Sequence, residues 1–290
     1  MFTQQLINGL MLGASYALVA IGYTLIFGVL RLLHFAHGEV FMLGAFIGLH
    51  IVLVFTGVNI YVAIAGAMIG TGIIGVLIAV IAVRPVSNKY PLAPLISTIG
   101  VTIFLQNTVI YIFGGTQVAF PSTIDPNLYH IGGVTISSVQ IFILVMAVVL
   151  MVALWLLVEK SKTGRAIRAV AESHETAALL GVNVNHVVLL TFLIASCLAG
   201  AAGVLDGVKN SAISPFMGLE VAVTALVCML LGGLGNIVGA MVAGIMLGMI
   251  EILSAAYIGT SLRDLLTFVI LILILIYRPT GLFGTRVVGD

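Results

Sequence analysis

The chain of 290 residues is 61% hydrophobic and 7% charged, with a formal net charge of +1, whereas a soluble domain is about a quarter charged. Those values exclude a soluble enzyme and, with no run of Lys or Arg, give no footing for a nucleic-acid partner. Hydrocarbon forces the backbone to bond to itself, and the long unbroken apolar runs lack the alternation of a barrel strand, so the fold class is an all-α, polytopic membrane bundle.

In chain order, the first thirty residues hold no Lys or Arg, and their apolar stretch exceeds a signal-peptide core. The first span is expected from Gln5 to Leu30, long enough to cross a core about 30 Å thick. Further apolar runs cover Val40 to Phe55, Asn59 to Val83, Leu95 to Phe113, Val139 to Val158, Val187 to Val208, Glu220 to Leu231, Ile237 to Leu253 and Leu262 to Tyr277. Val40 to Phe55 is marginal and Glu220 to Leu231 reaches only about 18 Å as a helix, so the expectation is eight or nine spans within a single transmembrane domain, 1–290. Cys197 and Cys228 both fall inside apolar segments, as small hydrophobic thiols do.

Lys and Arg collect on the cytoplasmic side. Arg31, Arg84 with Lys89, the cluster from Lys160 to Arg168, and Arg278 with Arg286 all fall there if spans alternate from an external N-terminus; Lys209 and Arg263 are single exceptions. The connection 114–138 then lies outside, and its Gly, Pro, Asn and Asp with short β-branched runs suggest an ordered loop that includes a hairpin.

Small residues recur at four-residue spacing in Gly9/Gly13, Gly66/Gly70, Gly235/Gly239 and Gly244/Gly248, which favours close helix packing. The likeness of GAMIG at Gly66 to GAMVAG at Gly239 hints at an internal repeat of the kind transporters use. Gly232, Gly233 and Gly235 before Asn236 fit either a tight cytoplasmic turn or a broken, re-entrant helix, with possible broken helices elsewhere.

No phosphate loop occurs: Lys160-Ser161 and Lys162-Thr163 lack the preceding glycines. HExxH, CxxC and GxSxG are also absent, so neither ATP hydrolysis nor the usual zinc and hydrolase chemistry is expected, and there is no catalytic residue, metal ligand or cofactor to name. Glu39, Asp206, Glu220 and Glu251 fall near predicted helix ends, and His50 lies toward the outer part of a span; ionisable groups there are transport candidates. Thr98, Thr102 and Gln106 share one helical face. Such a stripe lines a substrate path, bonds a neighbouring helix, or satisfies itself one turn back.

The charge that remains is concentrated. Glu159, Lys160, Lys162, Arg165, Arg168, Glu172 and Glu175 are seven of the 21 acidic and basic residues in the chain. Within this loop, about 159–187, the run GRAIRAVAE places Ile167, Val170 and Ala171 on one face and Arg165, Arg168 and Glu172 on another, with Arg168 and Glu172 spaced to pair. Ser173 is a good N-cap for a second helix, Glu175 suits its first turn and Gly181 its stop, leaving Ala177 and Leu180 exposed on one side. A helix of two turns is marginal alone and needs something to pack against.

Glu175-Thr176-Ala177 followed by Gly181 resembles the first half of the EAA motif of ABC importer permeases, without its later Ile and Leu-Pro. A closer resemblance is to LivH-type branched-chain amino acid permeases. It rests on RLLHFAHGEVFMLGA from Arg31, LISTIGVTIFLQN from Leu95, GRAIRAVAE with AALLGVN, LLGGLGNIVGA from Leu230 and the terminal YRPTGLFG, in that order over nearly the whole chain. The resemblance implies a multi-pass subunit of the bacterial inner membrane, surrounded by lipid and paired with a second, similar permease. It also implies two cytoplasmic ATPase subunits, which hold ATP and Mg, and a periplasmic substrate-binding protein. Ser173 to Gly181, with Ala178 among its residues, is then the element docked on the ATPase, supported by Gly164, Arg165 and Arg168. The solutes implied are leucine, isoleucine, valine or similar small amphipathic molecules, with urea and short amides among related substrates. A rival reading from another class is an ion-coupled secondary transporter or channel that uses Asp206, Glu220 or Glu251.

Overall fold

A computed structural model describes residues 2–55, 59–86, 92–121, 124, 127–131, 133–260 and 263–284; Lys89 and Arg286 lie outside them. Helices α1 (Phe2–Leu30), α2 (His37–Val54), α3 (Ile60–Ile78, continued by a π turn over Ala79–Val83) and α4 (Ala93–Phe113) lead into a loop with strand β1 (Val118–Ala119) and the hairpin β2 (Leu128–Ile131) and β3 (Val134–Ser137). Next come α5 (Ser138–Lys160), the short α6 (Lys162–Glu172) and α7 (His174–Leu179), and α8 (Val184–Asn210). Strand β4 (Ala212–Ile213), α9 (Met217–Gly232), α10 (Ile237–Tyr257) and α11 (Arg263–Tyr277) complete the order. Among the described residues seven helices are long and apolar enough to cross a membrane, and α9 and the apolar part of α11 are shorter.

Local chemistry fixes many of the helix starts. Asn59, Asn183 and Asn236 each accept a backbone N–H of the first turn they precede, and Ser137 with Gln140 forms a reciprocal capping box. The 114–138 connection holds the expected hairpin, and Gln4 of α1 clamps it by bonding both the N–H and the carbonyl of Thr135.

The core of the bundle is a three-helix unit used twice, α1–α2–α3 and α8–α9–α10. α1 packs antiparallel along α10, and α3 antiparallel along α8. Methyl groups added at Gly13 or Gly244 would run into the backbone of Ile245 or Ala17, within 2.6 Å of it. Gly72 likewise faces Leu193 and Cys197 across the other pair. The motif starting at Gly66 packs on Ile51 and Ile47 of α2, and the one at Gly239 on Gly232 of α9, so each meets the second helix of its own unit. The two units therefore have inverted topology, the arrangement that the GAMIG/GAMVAG likeness hints at.

The corners between first and second helices match residue by residue. Arg31 and Ser211 both adopt the left-handed conformation, at φ 54° and 53°, and six residues later α2 and α9 begin. The turn between closes on the same bond in each, from His37 N–H to the His34 carbonyl and from Met217 N–H to the Ser214 carbonyl. α2 does not begin at the membrane surface: a methyl at Gly22, eight residues before the end of α1, would strike the His37 ring. The chain thus climbs about 12 Å back into the bundle before α2 starts. There the first turns of α2 and α9 meet, Gly38 against Gly218, with Glu39 beside them.

The glycine cluster before Asn236 forms a turn. Gly233 and Gly235 take φ of 105° and 81°, and Gly235 faces Gly28 near the end of α1. The interrupted elements are instead α2 and α9, which start at depth. The carbonyls of Leu231 and Gly232, left open where α9 ends, accept the N–H groups of Leu282 and Phe283.

Candidate functional site

Two features at opposite ends of the bundle are candidates. At the end where α1 and α5 finish, Ser161 starts α6 by accepting the Gly164 N–H at 2.8 Å. Gly164 sits against the carbonyls of Leu157 and Val158 with no room for a Cβ, so α6 turns sharply off α5. Ile167 and Val170 are buried as the amphipathic pattern requires, while Arg165 stays exposed. Ser173 ends α6 and starts α7, accepting the Thr176 N–H at 3.2 Å. Gly181, at φ 82°, ends the element.

Two details differ from the sequence expectation. Arg168 does not pair with Glu172. It forms an ion pair with Glu159 at 3.3 Å and donates to the Val158 carbonyl, because the open carbonyls at the end of α5 lie closer to the guanidinium and attract it. Ala177 is not exposed: it is 1% accessible, since the Gly181 turn folds Val182 back so that its N–H reaches the Ala177 carbonyl. The outward face is made by Leu179 and Leu180, 88% and 76% exposed, with Glu175 and Ala178 also exposed beside them.

The α6–α7 junction is tied to α1. The Arg31 guanidinium donates to the carbonyls of Ala171 and Glu172 at 3.3 and 3.1 Å. The His174 ring nitrogen Nε2 lies 2.6 Å from the Val29 carbonyl, so it carries the proton and donates.

The second feature is a cavity of about 760 Å³ at the opposite end, where α8 finishes. Gln117 and Ser214 border it beside the paired strands β1 and β4, and Asp206, Lys209 and Asn210 project from the end of α8. Asp206 bonds Asn210 at 3.0 Å and lies 3.8 Å from Lys209. Deeper, Tyr16 of α1 donates to Glu251 of α10 at 2.7 Å, and Glu251 is 3% exposed. Glu220 opens α9 on another wall, beside the apolar Leu12, Met217 and Phe268. Three of the four carboxylates singled out in the sequence thus share one cavity. Glu39 instead lies buried at the meeting of α2 and α9, and His50 is exposed.

Thr98, Thr102 and Gln106 lie on α4, apart from this cavity. The Thr98 and Thr102 hydroxyls donate to the carbonyls of Leu95 and Thr98 on their own helix. Sequence reasoning passed over Tyr16, Gln117 and Asn210, which reach the cavity only through tertiary packing.

Comparison with known proteins decides the family. A family described as "Branched-chain amino acid transport system / permease component" matches residues 5–275. The chain belongs to this family. The permease is 40% identical to the high-affinity branched-chain amino acid transport system permease protein LivH of Salmonella typhimurium, over 98% of this chain and 96% of that protein. It is 39% identical to the permease protein BraD of Pseudomonas aeruginosa with the same coverage, and 26% identical to a probable LivH of Methanocaldococcus jannaschii over 92% and 88%. No solved structure matches it. The permease is a multi-pass, all-α transport subunit.

Proposed function

We propose that this permease is the membrane subunit of an ATP-driven importer of leucine, isoleucine and valine in the bacterial inner membrane. The observation that carries the proposal is the α6–α7 element: a short, separately capped helix that presents Leu179 and Leu180 to water at the end opposite the cavity. Two exposed leucines at the end of a six-residue helix, one closing it and one just beyond, suit a docking face on a partner. The missing phosphate loop fits a division of labour in which two partner ATPases hold ATP and Mg. A second permease completes the translocation path, and a binding protein delivers the amino acid at the β1–β4 end. Docking against α7 then converts nucleotide-driven closure into alternating access.

The relatives carry the substrate class, since their names specify branched-chain amino acids. The cavity's mixture of apolar wall and polar groups suits an amphipathic solute. The test is reconstitution in proteoliposomes with the neighbouring ATPases, second permease and binding protein. Leucine uptake is expected only with ATP and all partners present. Uptake that persists without the ATPases and follows an ion gradient would transfer the function to Asp206, Glu220 and Glu251 as titrating groups.

A further inference from the structure

We propose that Arg31 and His174 form the joint through which movement of α7 reaches α1, and through α1 the cavity at the far end of the bundle. This inference rests on the reading of α7 as the docked element.

The first argument is the backbone of Arg31. Its φ of 54° is a conformation that glycine adopts freely and a residue with a Cβ does not. The equivalent Ser211 has the same φ, so the corner itself demands the geometry, and glycine would satisfy it at either place. A residue held there against its preference points to a function for the side chain. At Arg31 that side chain reaches another element: one guanidinium nitrogen donates to the last two carbonyls of α6, where open oxygens and the helix dipole both favour a cation.

The second argument is reciprocity. The end of α1 supplies the donor that closes the end of α6, and the first residue of α7, His174, supplies a donor to the Val29 carbonyl in the last turn of α1. Ser173, which caps both short helices, lies between the two bonds. Neither α6 nor α7 can tilt about Ser173 without pulling on α1.

The third argument is what α1 does with the pull. It is a continuous helix of 29 residues without proline, packed on α10 through backbone contacts at Gly9, Gly13 and Ala17. Its Leu12 and Tyr16 line the cavity, and Tyr16 holds Glu251. Val29 and Tyr16 are 13 positions apart, about 20 Å along the axis. A displacement applied at Val29 therefore arrives at Tyr16 as a displacement of the same helix.

The experiment uses the complete transporter in proteoliposomes and reads amino acid imported per ATP hydrolysed, together with complex assembly and Tm. Arg31→Gly is the decisive variant because it relaxes the corner while removing the guanidinium. Expected for Arg31→Gly and for His174→Ala are normal assembly, ATP hydrolysis within twofold of the parent and at least a fivefold loss of import per ATP. Arg31→Lys and His174→Gln, which keep a donor, should recover at least half of that loss. An unchanged ratio in both variants overturns the joint, and so does failure to assemble or a parallel loss of hydrolysis and import, which would make the contacts merely structural. If the parent complex shows no ATP-dependent import, the importer reading itself fails; import by the parent with unaffected variants sinks the joint alone.

Discussion

At the scale of single residues, glycine marks where backbones touch. A methyl at Gly218 would stand 2.8 Å from the Gly38 carbonyl and 2.9 Å from the Glu39 carboxylate, in the packed centre where α2 and α9 begin. Overpacking of this kind destabilises by about 1–3 kcal/mol. Gly100, inside α4, has open space around it, and Gly in a helix interior costs about 1 kcal/mol relative to Ala. Gly218→Ala should therefore lower the Tm in detergent by several degrees and Gly100→Ala should leave it level or raise it. A reversal of that order would mean the two helix starts do not meet as described. Both glycines look alike in the sequence, because what separates them is a neighbour some 180 positions away.

At the scale of elements, α7 is the best test of docking. Leu179→Asp and Leu180→Asp place charge on an outward face, so insertion and Tm should stay as in the parent while co-purification with the ATPase and ATP-dependent uptake fall at least tenfold. Retained uptake in both would refute the docking face. A substitution at Ala177 would not isolate docking, since Ala177 is buried and a larger side chain there would disrupt α7 itself.

The helix caps at Ser173 and Gly181 were legible from the sequence because capping is chemistry among neighbours in the chain. The partner of Arg168 and the burial of Ala177 were not, because each depends on where α5 ends and how Val182 folds back. The half-depth starts of α2 and α9 were hidden for another reason: apolar composition is the same on either side of such a start. The one usable signal was the matching spacing from Arg31 to Gly38 and from Ser211 to Gly218, and it is faint, since few side chains agree between the two runs.

At the scale of the whole molecule, the inverted units place α6 and α7 at one end and β1 with β4 at the other. Arg31, Arg84, Lys162 to Arg168 and Arg278 follow the ends of α1, α3, α5 and α11, with Lys209 and Arg263 as exceptions; by charge bias we propose that the α6–α7 end faces the cytoplasm. In a background lacking Cys197 and Cys228, Gln117→Cys should react with a membrane-impermeant maleimide added to spheroplasts, and Thr176→Cys only after permeabilisation. The opposite pattern would turn the whole assignment over.

The matched corners also bear on biogenesis. Two units of the same design must be threaded into the membrane in opposite senses, although the apolar helices that follow each corner carry little information about direction. The corner of the first unit opens with Arg31 and that of the second with Ser211. A cation resists translocation where a hydroxyl does not. The insertion machinery thus meets, at equivalent points of the two copies, Arg31 in one and, in the other, Ser211 beside a Lys209 whose charge is offset by Asp206, so the first corner is the one whose net charge favours the near side.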